Sequence, residues 1–343
     1  MTKPRISIVL PLYNGASYIQ ETMDSLLEQS FSDFELIVVD DASTDDSGKK
    51  VLRYRDSRIR YERNTHNLGM AHTRNRGLKL ARGDVVVMSD QDDISMPDRL
   101  LLQYQYLHDH PECMLVGGWS RHFGGARGIY RYVTDYAKIR MRMLGDSQFS
   151  HPSVAFRRKL VVEHGLRYEQ DYAPADDYRL LAQITARFPV ANIPHEIIRY
   201  RVHDRQHSQT SADLLVQRAD RVRVAYLEQI LSMRLNDAQA RLHAQALYPR
   251  AVDKETFLLQ VAWLLQLLDR ARGVFDTREL QNYFVERLVG TLRRSAPSMG
   301  WQAVRLAGKL PAEFKDVKNS RPAITRALFS ARGRSLLNRA RMG

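Results

Sequence analysis

Three carboxylates stand on one short turn of this chain. Ser89-Asp90-Gln91-Asp92-Asp93 follows directly on the apolar run Val85-Val86-Val87-Met88, so the acidic residues fall where a buried strand ends. A hard cation such as Mg2+ or Mn2+ takes oxygen ligands, and Mg2+ is usually held by one or two carboxylates plus substrate phosphates. One acidic turn is therefore enough to hold such a cation against a diphosphate, provided the substrate brings the remaining oxygens. The same aspartates would also serve as turn and helix-capping residues ahead of Pro97. The turn alone does not separate the two readings.

Two further loops belong with it. Pro11-Leu12-Tyr13-Asn14 closes a first apolar strand, and the run from Asp40 to Ser47 closes a second. If those strands are neighbours, both loops meet the acidic turn at one edge of the sheet. An aromatic platform at Tyr13 would stack on a base, and Asp40 or Asp41 would accept hydrogen bonds from base N–H or ribose hydroxyl groups. The alternative for Asp40 to Ser47 is an Asx-rich turn capping the next helix, which is the better reading for Ser43 to Ser47.

The elements that must position these loops follow from periodicity. Strands are expected at Ile6 to Leu10, Phe34 to Val39, Ile59 to Tyr61 and Val85 to Met88. Between them lie helical patterns through Tyr18, Ile19, Met23 and Leu27, and over Gly69 to Leu80, the latter carrying Arg74 and Asn75. Another helix is expected to begin at Pro97. This alternation predicts an α/β fold on a mostly parallel sheet, in which ligands bind outside the carboxyl ends of the strands. Trp119 to Phe149 has poor periodicity and many Gly, Arg and aromatic residues, so it reads as an irregular binding segment. A strand at Ser153 to Phe156, a helix at Asp176 to Arg187 and a strand at Ile197 to Val202 follow.

Beyond about residue 210 only helical patterns remain: Asp213 to Met233, Asp237 to Leu247, Lys254 to Ala271 and Thr277 to Arg293. A basic tail then carries Pro297, Pro311 and Pro322. The expected organisation is thus an α/β domain over 1–210, a helical extension over 211–295 and a tail over 296–343.

Composition sets the outer limits. The chain has 343 residues, 44% hydrophobic, and a single cysteine, Cys113, so an internal disulfide is excluded. The apolar run near the N-terminus is too short for a signal peptide. The most apolar segment, Phe257 to Leu268, contains Gln260 and Gln266 and falls short of the ~20 residues a spanning helix needs. A cytoplasmic protein is expected. Of the net charge of +13, +10 falls from Arg293 onward, where twelve Lys or Arg face only Glu313 and Asp316. Interleaved Trp301, Leu306, Leu310, Phe314, Leu328, Phe329, Leu336 and Leu337 make this region a candidate for docking on anionic lipid, peripheral on the inner face of the cytoplasmic membrane. A solvated tail and a helix packed on the protein are the alternatives. No nucleic-acid reader motif is present, so nucleic acid is not expected as a partner.

Six motifs in order, SIVLPLYNGASYIQETMDSLLEQ, FELIVVDDASTDDS, NLGMAHTRNRGL, GDVVVMSDQDD, Ala175-Asp176-Asp177-Tyr178-Arg179-Leu180 and Tyr200-Arg201-Val202-His203, resemble the family 2 glycosyltransferases of the GT-A fold. The resemblance covers roughly residues 4 to 208. It implies a non-processive, inverting, metal-dependent transfer of a sugar from a nucleotide-diphospho-sugar, a UDP-sugar being the expected donor, to a glycan or lipid-linked acceptor in cell-surface polysaccharide biosynthesis.

Residue by residue, the resemblance implies that Pro11, Tyr13 and Asp41 line the base pocket and that Arg74 lies near the nucleotide. It places Asp90 toward the ribose or base and Asp92 on Mn2+ or Mg2+, with Asp93 behind them. Asp177 would be the base that deprotonates the acceptor hydroxyl. Asp176 stands where the family usually has Glu, which leaves its acceptor contact open. His203 is implied as a metal or phosphate ligand, with a structural histidine as the alternative; His151 is a weaker candidate.

Other readings remain. Arg74 also reads as a surface helix arginine. The Gln-x-x-Arg-Trp motif of processive synthases is absent after Asp177. A non-catalytic nucleotide-sugar-binding or scaffold protein of the same fold is the competing function. A Rossmann dehydrogenase is disfavoured because no G-x-G-x-x-G follows the first strand.

Overall fold

The computed structural model describes residues 3–204, 206 and 212–327. They form two compact units: the residues up to Arg140 with Ser147–Val222, and Met141–Asp146 with the residues from Arg223 on. The boundary expected at 210/211 thus falls at 222/223. Residues 296–327 belong to the second unit and are not a separate tail.

In the first unit, β1 (Ile6–Leu12), β2 (Phe34–Asp40), β3 (Ile59–Arg63) and β4 (Val85–Met88) run parallel in the order β3-β2-β1-β4. β1, β2 and β4 are buried along their whole length, as near-continuous apolar runs covered on both faces should be. α1 (Ile19–Leu27), α2 (Ser47–Val51) and α3 (Met70–Leu80) connect them. Because β1 lies between β2 and β4, the loops after these three strands converge at one edge.

The sheet continues through β5 (Ile94–Ser95), β6 (Leu115–Gly124), β7 (Gly128–Tyr130), β8 (Ala155–Arg157) and β9 (Val190–Val202). β8 runs antiparallel between β4 and β6, β9 lies parallel to β6, and β5 and β7 add antiparallel edges. The helix α4 (Arg99–Asp109) begins two residues after Pro97.

Trp119 to Phe149 is more regular than its sequence suggested. β6 runs through Trp119 to Gly124, β7 follows, and α5 spans Tyr136–Arg142. Two features hide β6 from a search for alternation. Gly117 and Gly118 leave out side chains where Asn192 and Ile197 come close, a Cβ at Gly118 falling 2.6 Å from Ile197 Cδ1. The register against β9 also shifts on both sides of Trp119, and a bulge interrupts a period of two. β9 likewise starts at Val190, not Ile197. The strand expected from Ser153 starts at Ala155, after a 3-10 turn at His151–Ser153, and the short helix α6 (Lys159–Val162) follows it.

The second unit is helical. Asp237–Leu247, Lys254–Arg270 and Thr277–Met299 are each N-capped by a side chain, Asn236, Asp253 and Asp276 respectively, which satisfies otherwise orphaned N–H groups. Pro297 sits inside the third helix, which ends at Gly300 in a left-handed conformation (φ 60°). The helix Trp301–Leu306 and a 3-10 segment over Ala312–Ser320 follow, and Ala303, Leu306, Phe314, Val317 and Ile324 are buried. Of the apolar residues expected to face lipid, Leu306 and Phe314 are therefore core residues of this unit, Leu310 is half-buried and Trp301 is 48% exposed. Leu328, Phe329, Leu336 and Leu337 lie outside the described residues. Among the described residues no helix is long and apolar enough to cross a membrane.

The first unit gives a stability test. Gly83 donates its N–H to Ser7 Oγ at 2.8 Å, and a Cβ there would fall 2.6 Å from backbone atoms of Ile6 and Ser7. Main chain in the middle of a buried sheet cannot step aside. Gly83→Ala should cost about 1–3 kcal/mol, read as a lower urea midpoint with an unchanged slope.

Candidate active site

The loop after β1 is tied to the acidic turn by Gln91. The Tyr13 N–H donates to Gln91 Oε1 at 2.7 Å and Gln91 Nε2 donates to the Tyr13 carbonyl at 3.0 Å, while Thr22 Oγ1 donates to the Gln91 carbonyl. Gln91 thus fills the gap between two carboxylates and fixes how far the turn stands from Tyr13. The Tyr13 ring is 40% exposed. Pro11 is buried and registers with Val39.

The paired aspartates after β2 divide. Asp40 is buried, accepting from Tyr61 Oη (2.5 Å) and Ser43 N–H (2.8 Å), so it holds its own loop. Asp41 accepts from Asn64 Nδ2 (2.6 Å), Leu68 N–H (2.9 Å) and Gly69 N–H (2.9 Å). A carboxylate has about four lone-pair positions, so Asp41 anchors the entry to α3 and retains capacity for one more donor. Asp45 accepts the N–H groups of Ala16 and Ser47, the Asx pattern expected for that stretch.

The two acidic runs, distant in sequence, meet at Arg74. It is buried on α3, not a surface helix residue, with Nη1 3.1 Å from Asp176 Oδ2 and Nη2 3.6 Å from Asp90 Oδ1. Burial alone would weaken its protonation, but the charges of Asp176 and Asp90 outweigh this and hold the proton more firmly. Its guanidinium lies over the Tyr168 ring at 5.3 Å, and Tyr168 Oη is 2.8 Å from His151 Nε2. His151 supports this stack from inside the protein. Burial, helped by Arg74 and Arg99, pushes its pKa well down and keeps it neutral.

Asp176 and Asp177 are the first residues of α7 (Asp176–Arg187), after Ala175 at the N-cap, so neither caps the helix through its side chain. Asp177 Oδ1 accepts the Tyr178 N–H at 2.6 Å. Its pKa is pushed up to about 6, first by burial and then by the charge of Asp176. Asp90 is also raised, chiefly by burial, with Arg74 opposing.

On the other side of the turn, Asp92 Oδ2 lies 2.9 Å from His203 Nε2, and both side chains are less than a fifth exposed. Adjacent ligands about 2.1 Å from an octahedral cation stand about 3 Å apart, so the pair has the spacing and chemistry for two cis ligands of Mg2+ or Mn2+. Among the described residues no group of three or more His, Cys, Asp or Glu is placed to hold a metal.

Asp93 points the other way. It is buried, its Oδ1 accepts the Arg201 N–H at 2.8 Å, and its Oδ2 has no partner among the described residues. Burial, with Asp92 and Asp90 beside it, raises its pKa well above that of an ordinary aspartate. Beneath it Arg99 is fully buried, donating to the Met88 carbonyl (2.7 Å) and Ser95 Oγ (3.1 Å), so one guanidinium spans the whole turn. Burial pulls its pKa down to about 9 against the opposing charges of Asp93 and Asp90.

Gln91, Arg99, Asn64 and Tyr168 were not singled out from sequence. Only Gln91 carried a signal, standing between two aspartates of the turn.

The folded chain thus sets an acidic turn at the carboxyl edge of a parallel sheet, near the Tyr13 loop and, through Arg74, the Asp176–Asp177 pair. The model of Glycosyl transferase family 2 matches residues 7–165. An uncharacterized glycosyltransferase of Haemophilus influenzae is 33% identical over 180 residues, covering 50% of this chain and 71% of that protein. The chain belongs to this family and is a glycosyltransferase.

Its fold is that of GT-A enzymes. S. aureus TarS 1-349 in complex with UDP-GlcNAc matches with a TM-score of 0.58 at 19% identity, covering 93% of this chain and 92% of that one. The mannosyltransferase PcManGT from Pyrobaculum calidifontis in complex with GDP-Man and Mn2+ matches with a TM-score of 0.50 at 19% identity, covering 96% and 88%.

Asp41 can be tested apart from catalysis. Asp41→Ala would strand the N–H groups of Leu68 and Gly69 and the Asn64 amide, and should lower stability by about 1–3 kcal/mol in denaturant unfolding without nucleotide. A residue that only contacted the base would leave that value unchanged.

Proposed function

We propose that this glycosyltransferase is an inverting, metal-dependent enzyme that moves a sugar from a nucleotide-diphospho-sugar onto a glycan or lipid-linked acceptor of a cell-surface polysaccharide. The observation that carries this is the placement of one raised carboxylate, Asp177, across Arg74 from the acidic turn, with Asp92 and His203 paired beyond it. The solved structures with UDP-GlcNAc and with GDP-Man and Mn2+ support a nucleotide-sugar donor and a divalent cation.

Inverting transfer needs one base for the acceptor hydroxyl and one means of stabilising the departing diphosphate. Asp177 is the base. With its pKa near 6 it is ionised at neutral pH yet a stronger proton acceptor than an ordinary aspartate, whose pKa is about 3.9. Arg74 ties Asp176 in place and so steadies the start of α7 that carries Asp177. Asp92 and His203 would hold the cation, and a bound cation would supply positive charge against the leaving diphosphate. Asp41 offers its remaining acceptor capacity to the base edge, Tyr13 its exposed ring to the base face, and Pro11 a rigid wall. Asp90, already tied to Arg74, faces the ribose.

A lipid-linked acceptor would be met at a membrane surface. Arg293, Arg294, Arg305, Lys309, Lys315 and Lys318 are exposed on the second unit. Charge rather than an apolar helix face is then what draws this unit to anionic lipid.

Three outcomes follow. Asp177→Asn should lower kcat by about 100- to 10,000-fold while donor binding, measured by calorimetry, stays close to wild type; lost donor binding would mean a structural role. The wild-type rate at saturating donor should fall as pH drops through about 6, because protonation removes the base. The raised pKa places this loss at higher pH than an unperturbed aspartate would. Replacing Lys309, Lys315 and Lys318 by Gln should weaken sedimentation with phosphatidylserine vesicles by about 1 kcal/mol per residue, and an unchanged partition would remove the membrane from the scheme.

A further inference from the structure

We propose that Arg201 is a positioning residue for the Asp92–His203 pair, setting the distance between the acidic turn and the end of β9; the proposal rests on the reading of that pair as the cation site. Asp92 and His203 are 111 residues apart and stand on separate segments. The ladder joining these segments is only two residues long, Ile94 with Arg199 and Ser95 with Ile198. Something beyond β5 must carry the register on to His203.

Arg201 does so with both its main chain and its side chain. Its N–H donates to Asp93 Oδ1 at 2.8 Å, where a ladder would have placed a carbonyl. Its Nε donates to the Asp92 carbonyl at 2.9 Å, and its Nη2 reaches Glu21 Oε2 on α1 at 2.7 Å. The guanidinium lies over the rings of Tyr18 (4.7 Å) and Phe123 (4.5 Å), and the Tyr18 ring in turn rests 4.8 Å from the His203 imidazole. Gln206 completes the frame, donating to the Arg201 carbonyl at 2.7 Å and accepting the His203 N–H at 3.1 Å.

One planar cation therefore grips the turn, the first helix and two aromatic faces at once, and His203 is held two residues further along the chain, just past the end of β9. Lysine keeps the charge but lacks the rigid fork and the stacking plane. Groups behind metal ligands that fix their orientation commonly govern affinity for the ion.

The test is Mn2+ binding to the full-length chain without sugar donor, followed by electron paramagnetic resonance of the free ion. Arg201→Lys and Arg201→Met should each weaken Mn2+ binding by about 10- to 100-fold, with the metal-free thermal midpoint of Arg201→Lys close to wild type. Glu21→Gln, which loosens only the half-exposed end of the clamp, should weaken it by about 2- to 5-fold. If Arg201→Met fails to fold, Arg201→Lys and Glu21→Gln decide the matter. Wild-type Mn2+ affinity in the Arg201 variants, with affinity lost in Asp92→Asn and His203→Ala, would overturn the positioning role and leave the cation site standing. Wild-type affinity in all of them would overturn both.

Discussion

Everything at this site depends on holding five carboxylates at one sheet edge. Asp90, Asp92, Asp93, Asp176 and Asp177 would repel one another; at an effective dielectric of 20, two like charges 4 Å apart cost about 4 kcal/mol. Three arginines offset this in different ways. Arg74 sits between the two acidic runs and is shared by Asp90 and Asp176. Arg99 lies buried under the turn, where burial lowers its pKa against the charges of Asp93 and Asp90. Arg201 closes the turn from the side of β9. The carboxylates still outnumber the guanidiniums, the electrostatic condition for drawing in a cation. Burial, and then the charge of Asp176, also raises the pKa of Asp177.

The sheet makes this crowding possible. Parallel strands end at a common edge, and placing β1 between β2 and β4 brings three loops together there. The loops are then locked to one another by side chains: Gln91 to Tyr13, Asn14 to Thr44, and Asp41 to the start of α3. Many of the polar contacts around the acidic turn are thus already made by the protein. Such preorganisation lets binding free energy go into the transition state and not into ordering loops.

The helical unit shows why an amphipathic pattern is ambiguous. A basic stretch with apolar residues at helical spacing looks the same whether its apolar face rests on lipid or on protein. Here Leu306, Phe314 and Val317 pack inside the unit, and what remains outside is charge and Trp301. Pro297 misled in the same direction, since a proline in the last turn shortens a helix less than one at its centre.

The amino-acid sequence by itself determined the features that depend on neighbours along the chain. The four parallel strands, their helices, the acidic turn after β4 and the acidic start of α7 all follow from periodicity and capping chemistry, and the order of motifs carried the family. Elements whose local pattern is broken by long-range packing were not legible: β6 is masked by Gly117, Gly118 and a bulge that only β9 explains. Tertiary structure alone decided which of two adjacent aspartates turns inward, Asp40 to Tyr61 and Asp41 to α3. It alone showed that Arg74 is shared between two acidic runs 86 residues apart, Asp90 and Asp176, and that Arg99 and Arg201 carry the turn. A residue's type and spacing set what it is able to donate or accept. Which partner it finds is set by packing between segments far apart in the chain, and no local pattern records that.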